Sequence, residues 1–213
     1  MRIEVIVVGE FQVNCYVVIG GSNEVIVIDP GGDPDAVLGF VGKRKLTIKA
    51  YLLTHGHMDH ISALADMHDA CPAPIGMHEA DLKWAFGEDN QMQPFYGIPR
   101  KPKEIARVLR DGQEWTDSGM TYRVIGTPGH TPGSVCFHFE SDNVLFTGDT
   151  LFAGSVGRTD LPGGSSRILT SSLKKITAFR PETTVYPGHG PFTTISDEKE
   201  TNYFLQGMRD SGQ

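Results

Sequence analysis

The chain has 213 residues, a formal net charge of −7, eight histidines and three cysteines. An acidic chain without Lys/Arg clusters argues against nucleic acid as the main partner, and no apolar run reaches membrane-spanning length. Cys15, Cys71 and Cys136 are far apart and form no C-x-x-C, which fits small buried residues in a reducing cytosol better than a disulfide framework.

The length suits one domain over 1–213 with a sizeable core. Met1-Arg2-Ile3-Glu4-Val5 starts directly as a strand without signal-peptide features, so a cytoplasmic location is expected. Residues 2–8, 14–19 and 24–28 are rich in Val and Ile and predict antiparallel strands joined by hairpins. Asp29-Pro30-Gly31-Gly32 is a turn signal, and Asp33-Pro34 predicts the start of a helix over 34–42. A strand over 48–53, a helix over 60–70, a short extended piece at 75–77 and a helix over 79–86 follow. Residues 87–104, punctuated by Gly and Pro around Phe95 and Tyr96, form an ordered excursion. It is read either as a lid or wall beside a pocket or as surface padding whose aromatics pack down. Strands are predicted over 121–126, 134–139, 143–147 and 184–186, with helices over 166–178 and 197–208. Strands followed by helices, twice over, suggest two packed sheets with helices outside rather than one doubly wound sheet.

Chemistry concentrates in Thr54-His55-Gly56-His57-Met58-Asp59-His60. Side chains two apart on an extended segment share a face, so His55 and His57 can point the same way. Asp59 and His60 open the next helix, whose first turn aims them back at the first pair. Imidazole and carboxylate together suit zinc or similar divalent ions. Three further candidates, His130, Asp149 and His189, each follow a β run with a glycine nearby, at Gly129, Gly148 and Gly188. His68, His78 and His138 fall outside this pattern and are read as non-ligands.

The H-x-H-x-D-H pattern at 55–60, with His130, Asp149 and His189 following in order, resembles the metallo-β-lactamase superfamily, over nearly the whole chain. The chain looks most like the small relatives of hydroxyacylglutathione hydrolase (glyoxalase II). The resemblance implies an α+β fold, a four-layer αββα sandwich with the metal site at one edge between the two sheets. It implies two divalent ions, zinc first, with iron or manganese as alternatives. His55, His57 and His130 would hold one ion; Asp59, His60 and His189 the other; Asp149 would bridge them. Asp29 would support the site from behind or merely form a turn. Two such ions about 3.5–4 Å apart activate a water between them near neutral pH and polarise a carbonyl. Asp59 could also orient that water as a catalytic residue.

The implied function is hydrolysis of a carbonyl ester or thioester, S-lactoylglutathione or a related compound, and the implied partner is a small molecule. The chain is expected to lack the C-terminal helical extension of glyoxalase II, and it carries Gly157-Arg158-Thr159-Asp160 in place of an aromatic-rich segment. Arg158 either meets a substrate carboxylate or pairs with Asp160 to brace a loop. The same Gly-Arg-Thr-Asp form occurs in persulfide dioxygenases, mononuclear iron enzymes of this fold, which is the competing function. Cleavage of lactones, phosphodiesters or β-lactams is a lesser alternative.

Overall fold

The structure, a computed structural model, describes residues 1–210. Among the described residues, fourteen strands build two six-stranded sheets and a two-stranded hairpin. The first sheet runs in sequence order: β1 (Arg2–Val8), β2 (Val13–Ile19), β3 (Glu24–Ile28), β4 (Thr47–Leu52), β5 (Ile75–His78) and β6 (Arg107–Leu109). Its first three strands are antiparallel, and β3 to β6 are parallel, each parallel step crossing over through helix or loop. Those crossovers hold α1 (Pro34–Lys43), α2 (Met58–Ile61), α3 (Leu64–Ala70) and α4 (Glu79–Leu82).

The second sheet contains β7 (Glu114–Asp117), β8 (Met120–Gly126), β9 (Val135–Phe139), β10 (Val144–Gly148), β13 (Thr184–Pro187) and β14 (Thr193–Thr194). The hairpin is β11 (Leu151–Phe152) and β12 (Ser155–Val156). Helices α5 (Ser166–Ile176), α6 (Ile195–Thr201) and α7 (Tyr203–Asp210) complete the described residues.

Period-two alternation sorts side chains into three apolar cores. Tyr16, Val18, Ile26 and Ile28 meet Tyr122, Val124, Phe137 and Phe146 between the sheets. Their odd-numbered neighbours Val17, Val25 and Val27 face outward onto Val37 and Val41 of α1 and Leu64 and Met67 of α3. On the far side, Ile125, Cys136, Leu145 and Val185 meet Leu169, Leu173 and Ile176 of α5, Ile195 of α6 and Leu205 of α7. Three cores between four layers make the expected αββα sandwich. Strand β2 is buried at every position because both faces are covered. A bulge in β4 changes the phase: Val25 pairs with Ile48, but Ile26 pairs with Ala50. Ile48 therefore faces the outer core while Ala50 and Leu52 face the inner one.

Strand direction decides where the ligand candidates land. β8 and β10 are each antiparallel to β9, so they run the same way, and β13 is parallel to β10. The C-terminal ends of all three lie along one edge, just before His130, Asp149 and His189.

Several expected elements differ. The helix predicted over 60–70 starts at Met58 and is broken at Ser62–Ala63 into α2 and α3; the Ser62 hydroxyl donates to the Met58 carbonyl at 2.6 Å. The 79–86 helix stops at Leu82 as α4, with only turns onward to residue 86. The 197–208 helix is α6 and α7 divided at Asn202, whose amide is drawn into Glu198 and the Ser155 carbonyl. Short strands β6, β7, β11, β12 and β14 carry too few residues for alternation to show, and neighbouring strands define them.

Candidate metal centre

The loop leaving β4 is held from two sides before any ligand is considered. Asp81, fully buried at the end of α4, accepts from Gly56 N–H at 2.9 Å, Gly133 N–H at 2.7 Å and the Thr131 hydroxyl at 2.7 Å. It thus ties the His55–His57 turn to the segment just after His130. Asn90 closes the other side: its Oδ1 accepts from Met58 N–H at 3.1 Å, and its Nδ2 donates to the Gly56 carbonyl at 2.8 Å. Asn14 does the same for His189, donating to the carbonyls of Pro187 at 3.1 Å and Gly190 at 2.8 Å. Two glycines permit the close approach. A Cβ on Gly188 would lie 2.2 Å from Asp149 Oδ1, and one on Gly148 would lie 2.3 Å from Thr54 Oγ1.

All seven candidates converge. The ligand atoms of His55, His57 and His130, of His55, His60 and Asp149, and of Asp59, His60 and His189 form three groups, each within 4.8 Å. His57 Nδ1 lies 2.9 Å from His130 Nε2, and His60 Nε2 lies 3.3 Å from His189 Nε2. Asp149 sits between the groups, with Oδ1 3.3 Å from His60 Nε2 and Oδ2 3.6 Å from both His130 Nε2 and His189 Nε2. Asp59 Oδ2 is 3.4 Å from His189 Nε2.

The partners behind the rings assign their tautomers. His130 Nδ1 faces the Arg158 carbonyl at 2.7 Å, and His189 Nδ1 faces the Phe11 carbonyl at 3.0 Å. A carbonyl only accepts, so both Nδ1 atoms carry a proton, and in the neutral rings both Nε2 atoms offer a lone pair. His60 Nδ1 donates to Asp29 Oδ2 at 3.0 Å. The Thr54 hydroxyl donates to the same Asp29 oxygen at 2.6 Å, which leaves it to accept from His55 Nδ1 at 3.1 Å. Asp29 therefore orients His60 directly and His55 through Thr54, supporting the site from behind rather than only forming a turn.

The convergence has a cost without a cation. His55 Nε2 and Asp149 Oδ1 are buried without a hydrogen-bond partner. Asp149 Oδ1 is near His60 Nε2, which can donate to it only while the ring is charged; in the neutral tautomer that Asp29 sets, it faces a lone pair. Burial, then the neighbouring imidazoles, pushes His55 well below its ordinary pKa and His57 down to about 4. Burial opposes charge on His60 too, but Asp149, Asp59 and Asp29 outweigh it and raise that ring. Burial raises Asp149, yet the His60, His189 and His130 rings hold it well below the usual carboxylate range. Inward lone pairs, an orphaned imidazole nitrogen and an orphaned carboxylate oxygen are the donor set a divalent ion satisfies.

Of residues 87–104, Asn90 bonds the loop of this centre, and Phe95 and Tyr96 reach it through Phe11. Phe11, whose carbonyl holds His189, contacts Phe95 at 5.7 Å and Tyr96 at 5.0 Å between ring centroids. Trp84 lies 5.4 Å from the His57 ring. Arg158 is brought to the site by its main chain, through the carbonyl on His130; its guanidinium forks onto Asp160 at 2.8 and 2.7 Å. That is the bracing arrangement. His68, His78 and His138 join none of the metal-binding groups among the described residues. His78 caps α4, and His138 lies tilted against Phe179, with ring centroids 4.5 Å apart.

Asp81, Asn90 and Asn14 were not singled out in the sequence. Their only sequence signal is a polar residue beside apolar neighbours, which is common on surfaces as well.

A family model described as Metallo-beta-lactamase superfamily matches residues 8–189. The chain belongs to the metallo-β-lactamase superfamily. Among similar members of the superfamily is a protein of Haemophilus influenzae named hydroxyacylglutathione hydrolase GloC, 34% identical over 209 residues, covering 96% of this chain and 98% of that one. The solved structure of BLEG-1, titled a B3 metallo-beta-lactamase, is 37% identical with a TM-score of 0.91, covering 97% of this chain and all of that one. TTHA1623, solved in a di-iron-bound form, is 38% identical with a TM-score of 0.86, covering 95% and 100%. Among the described residues, no helix of this superfamily member is long and apolar enough to cross a membrane.

Proposed function

We propose that the chain is a hydrolase of carbonyl esters or thioesters, glyoxalase II-like, acting with two divalent ions. The observation that carries this is the set of lone pairs from His55, His57, His60, His130 and His189 converging on Asp59 and Asp149. His55, His57 and His130 would hold one ion and Asp59, His60 and His189 the other, with Asp149 offering an oxygen to each. Zinc is the first candidate; the di-iron form of TTHA1623 keeps iron beside it, with manganese as a further alternative. Bound there, such ions supply Lewis acidity to a carbonyl oxygen and acidify water near neutral pH.

The chain's own groups do the rest. Asp59, an acceptor-only carboxylate, takes a hydrogen bond from the attacking water and turns its lone pair toward the carbonyl carbon. Asp29 and Thr54 keep the imidazoles in the tautomers that leave their inner nitrogens free. The substrate is a small molecule, nucleic acid is not a partner, and the location is the cytoplasm. GloC supports a thioester by its name, and S-lactoylglutathione is the first compound to assay.

The Gly157-Arg158-Thr159-Asp160 form favours a second reading, a mononuclear iron dioxygenase of a persulfide. The complete Asp59, His60 and His189 group weighs against it. One experiment separates them: metal content of the purified protein, S-lactoylglutathione hydrolysis, and oxygen uptake with glutathione persulfide. Two ions with thioester cleavage are expected. One iron with oxygen uptake and no cleavage would replace the hydrolase reading.

A further inference from the structure

Beside the metal centre lies a cavity of about 330 Å³, and His57 belongs to both. Met58, Trp84, Met92, Leu161 and Pro162 give it its apolar wall. Asn90 also lines it, but its amide is spent on Met58 N–H and on the carbonyls of Gly56 and Ala85. Among the described residues that line it, none is Lys or Arg, and the only ionisable group besides His57 is the Asp89 carboxylate. Arg158 lines a different groove, with Leu169 and Phe204, and its guanidinium is engaged by Asp160.

Away from the metal centre, a substrate carboxylate in this cavity would lose its hydration, find no Lys or Arg and face Asp89, whereas an alkyl or aryl group would exchange water for apolar contact. The volume is at the small end of the range for small-molecule sites, enough for a substituent rather than a whole cofactor-sized molecule. A thiol carrier bearing carboxylates or phosphates, as glutathione and coenzyme A do, would find no Lys or Arg here, so the acyl chain is the part that fits.

We propose that the cavity beside His57 is an acyl-chain site that selects uncharged, apolar acyl groups, and that thioesters bearing them are preferred over S-lactoylglutathione and over charged acyl groups. This rests on the hydrolase reading above for the reaction, but not for binding. Each methylene buried contributes roughly a three- to fourfold preference.

The test uses the protein with its metal bound and two independent readouts. The first is kcat/KM for acetyl, hexanoyl and succinyl thioesters of N-acetylcysteamine, and for S-lactoylglutathione. Hexanoyl is expected to exceed acetyl, succinyl and lactoylglutathione by at least about tenfold. Leu161→Arg is expected to invert the hexanoyl-to-succinyl order. The second is the fluorescence of Trp84, isolated by Trp115→Phe because the chain has two tryptophans, titrated with hexanoate and with succinate. Saturable change with hexanoate, at least about tenfold tighter than with succinate, is expected. Thioester hydrolysis that favours succinyl or lactoylglutathione overturns the acyl-chain site and leaves the hydrolase standing. Hexanoate binding at Trp84 without turnover of any thioester overturns the hydrolase and leaves the site standing. Equal binding of hexanoate and succinate overturns the site whatever the turnover.

Discussion

A single carboxylate behind the centre governs two of its rings. Asp29 accepts hydrogen bonds from His60 Nδ1, the Thr54 amide and the Thr54 hydroxyl, and through that hydroxyl it sets His55. Asp29→Ala should leave both imidazoles free to rotate or change tautomer, weakening metal binding by about 10–100-fold with the far-ultraviolet circular dichroism unchanged. Competition with a chromophoric chelator reads the affinity. Protons compete unequally at the two groups. His55 and His57 are held low, by burial first, so at neutral pH they offer lone pairs without losing a proton. In His60 and His189 burial is outweighed by Asp149 and Asp59, so their raised rings retain protons that an ion must displace. Affinity at the Asp59, His60 and His189 group should therefore fall more steeply as pH drops from 8 to 6. Metal stoichiometry after equilibrium dialysis at each pH checks this, and two equal losses would contradict it.

At the scale of elements, the centre depends on contacts between segments that carry no ligand. Asp81 at the end of α4 joins the loop after β4 to the loop after β8 through three buried acceptor contacts. Burial pushes its carboxyl pKa up, partly offset by the Thr131, Gly133 and Gly56 bonds. Asp81→Ala would strand those donors, costing roughly 2–4 kcal/mol and loosening His55, His57 and His130 together. Thermal melting and metal titration of the same preparation measure both effects. Where β13 ends, Gly188 leaves no room for a side chain beside Asp149 Oδ1 and His60. Gly188→Ala should lose metal with little change in secondary structure. A fully loaded variant would mean that the 187–190 loop yields easily.

For the molecule as a whole, a cation bound at this cluster would offset repulsion that folding builds in. Two carboxylates and five imidazoles are brought together in a largely buried site, two of their atoms without partners. Ions that bind only this folded arrangement stabilise it by about 2.7 kcal/mol at a hundredfold excess over the dissociation constant. For a chain of this size that is about 5–10 °C in Tm. Chelation should lower the Tm by that amount, and restoring the metal should recover it.

Much of this was legible in the chain itself. The 55–60 stretch combines period-two spacing, a glycine turn and four ligand-type side chains within six positions, all local properties. His130, Asp149 and His189 could be picked out because each follows an apolar run and a glycine. Two packed sheets with helices outside followed from the order of strands and helices, and the αββα layering was what the resemblance to the superfamily implied. What local pattern could not carry was pairing. The short strands, the breaks at Ser62 and Asn202, and the roles of Asp81, Asn90 and Asn14 depend on which hydrogen bonds form in the folded chain, from Ser62 with Met58 one turn away to Asn14 with Pro187 at the far end of the sequence. The acyl-side cavity is likewise a space between Trp84, Met92 and Leu161. Spacing along a chain records which faces a residue can share; only the folded molecule decides which distant atom fills the space in front of it.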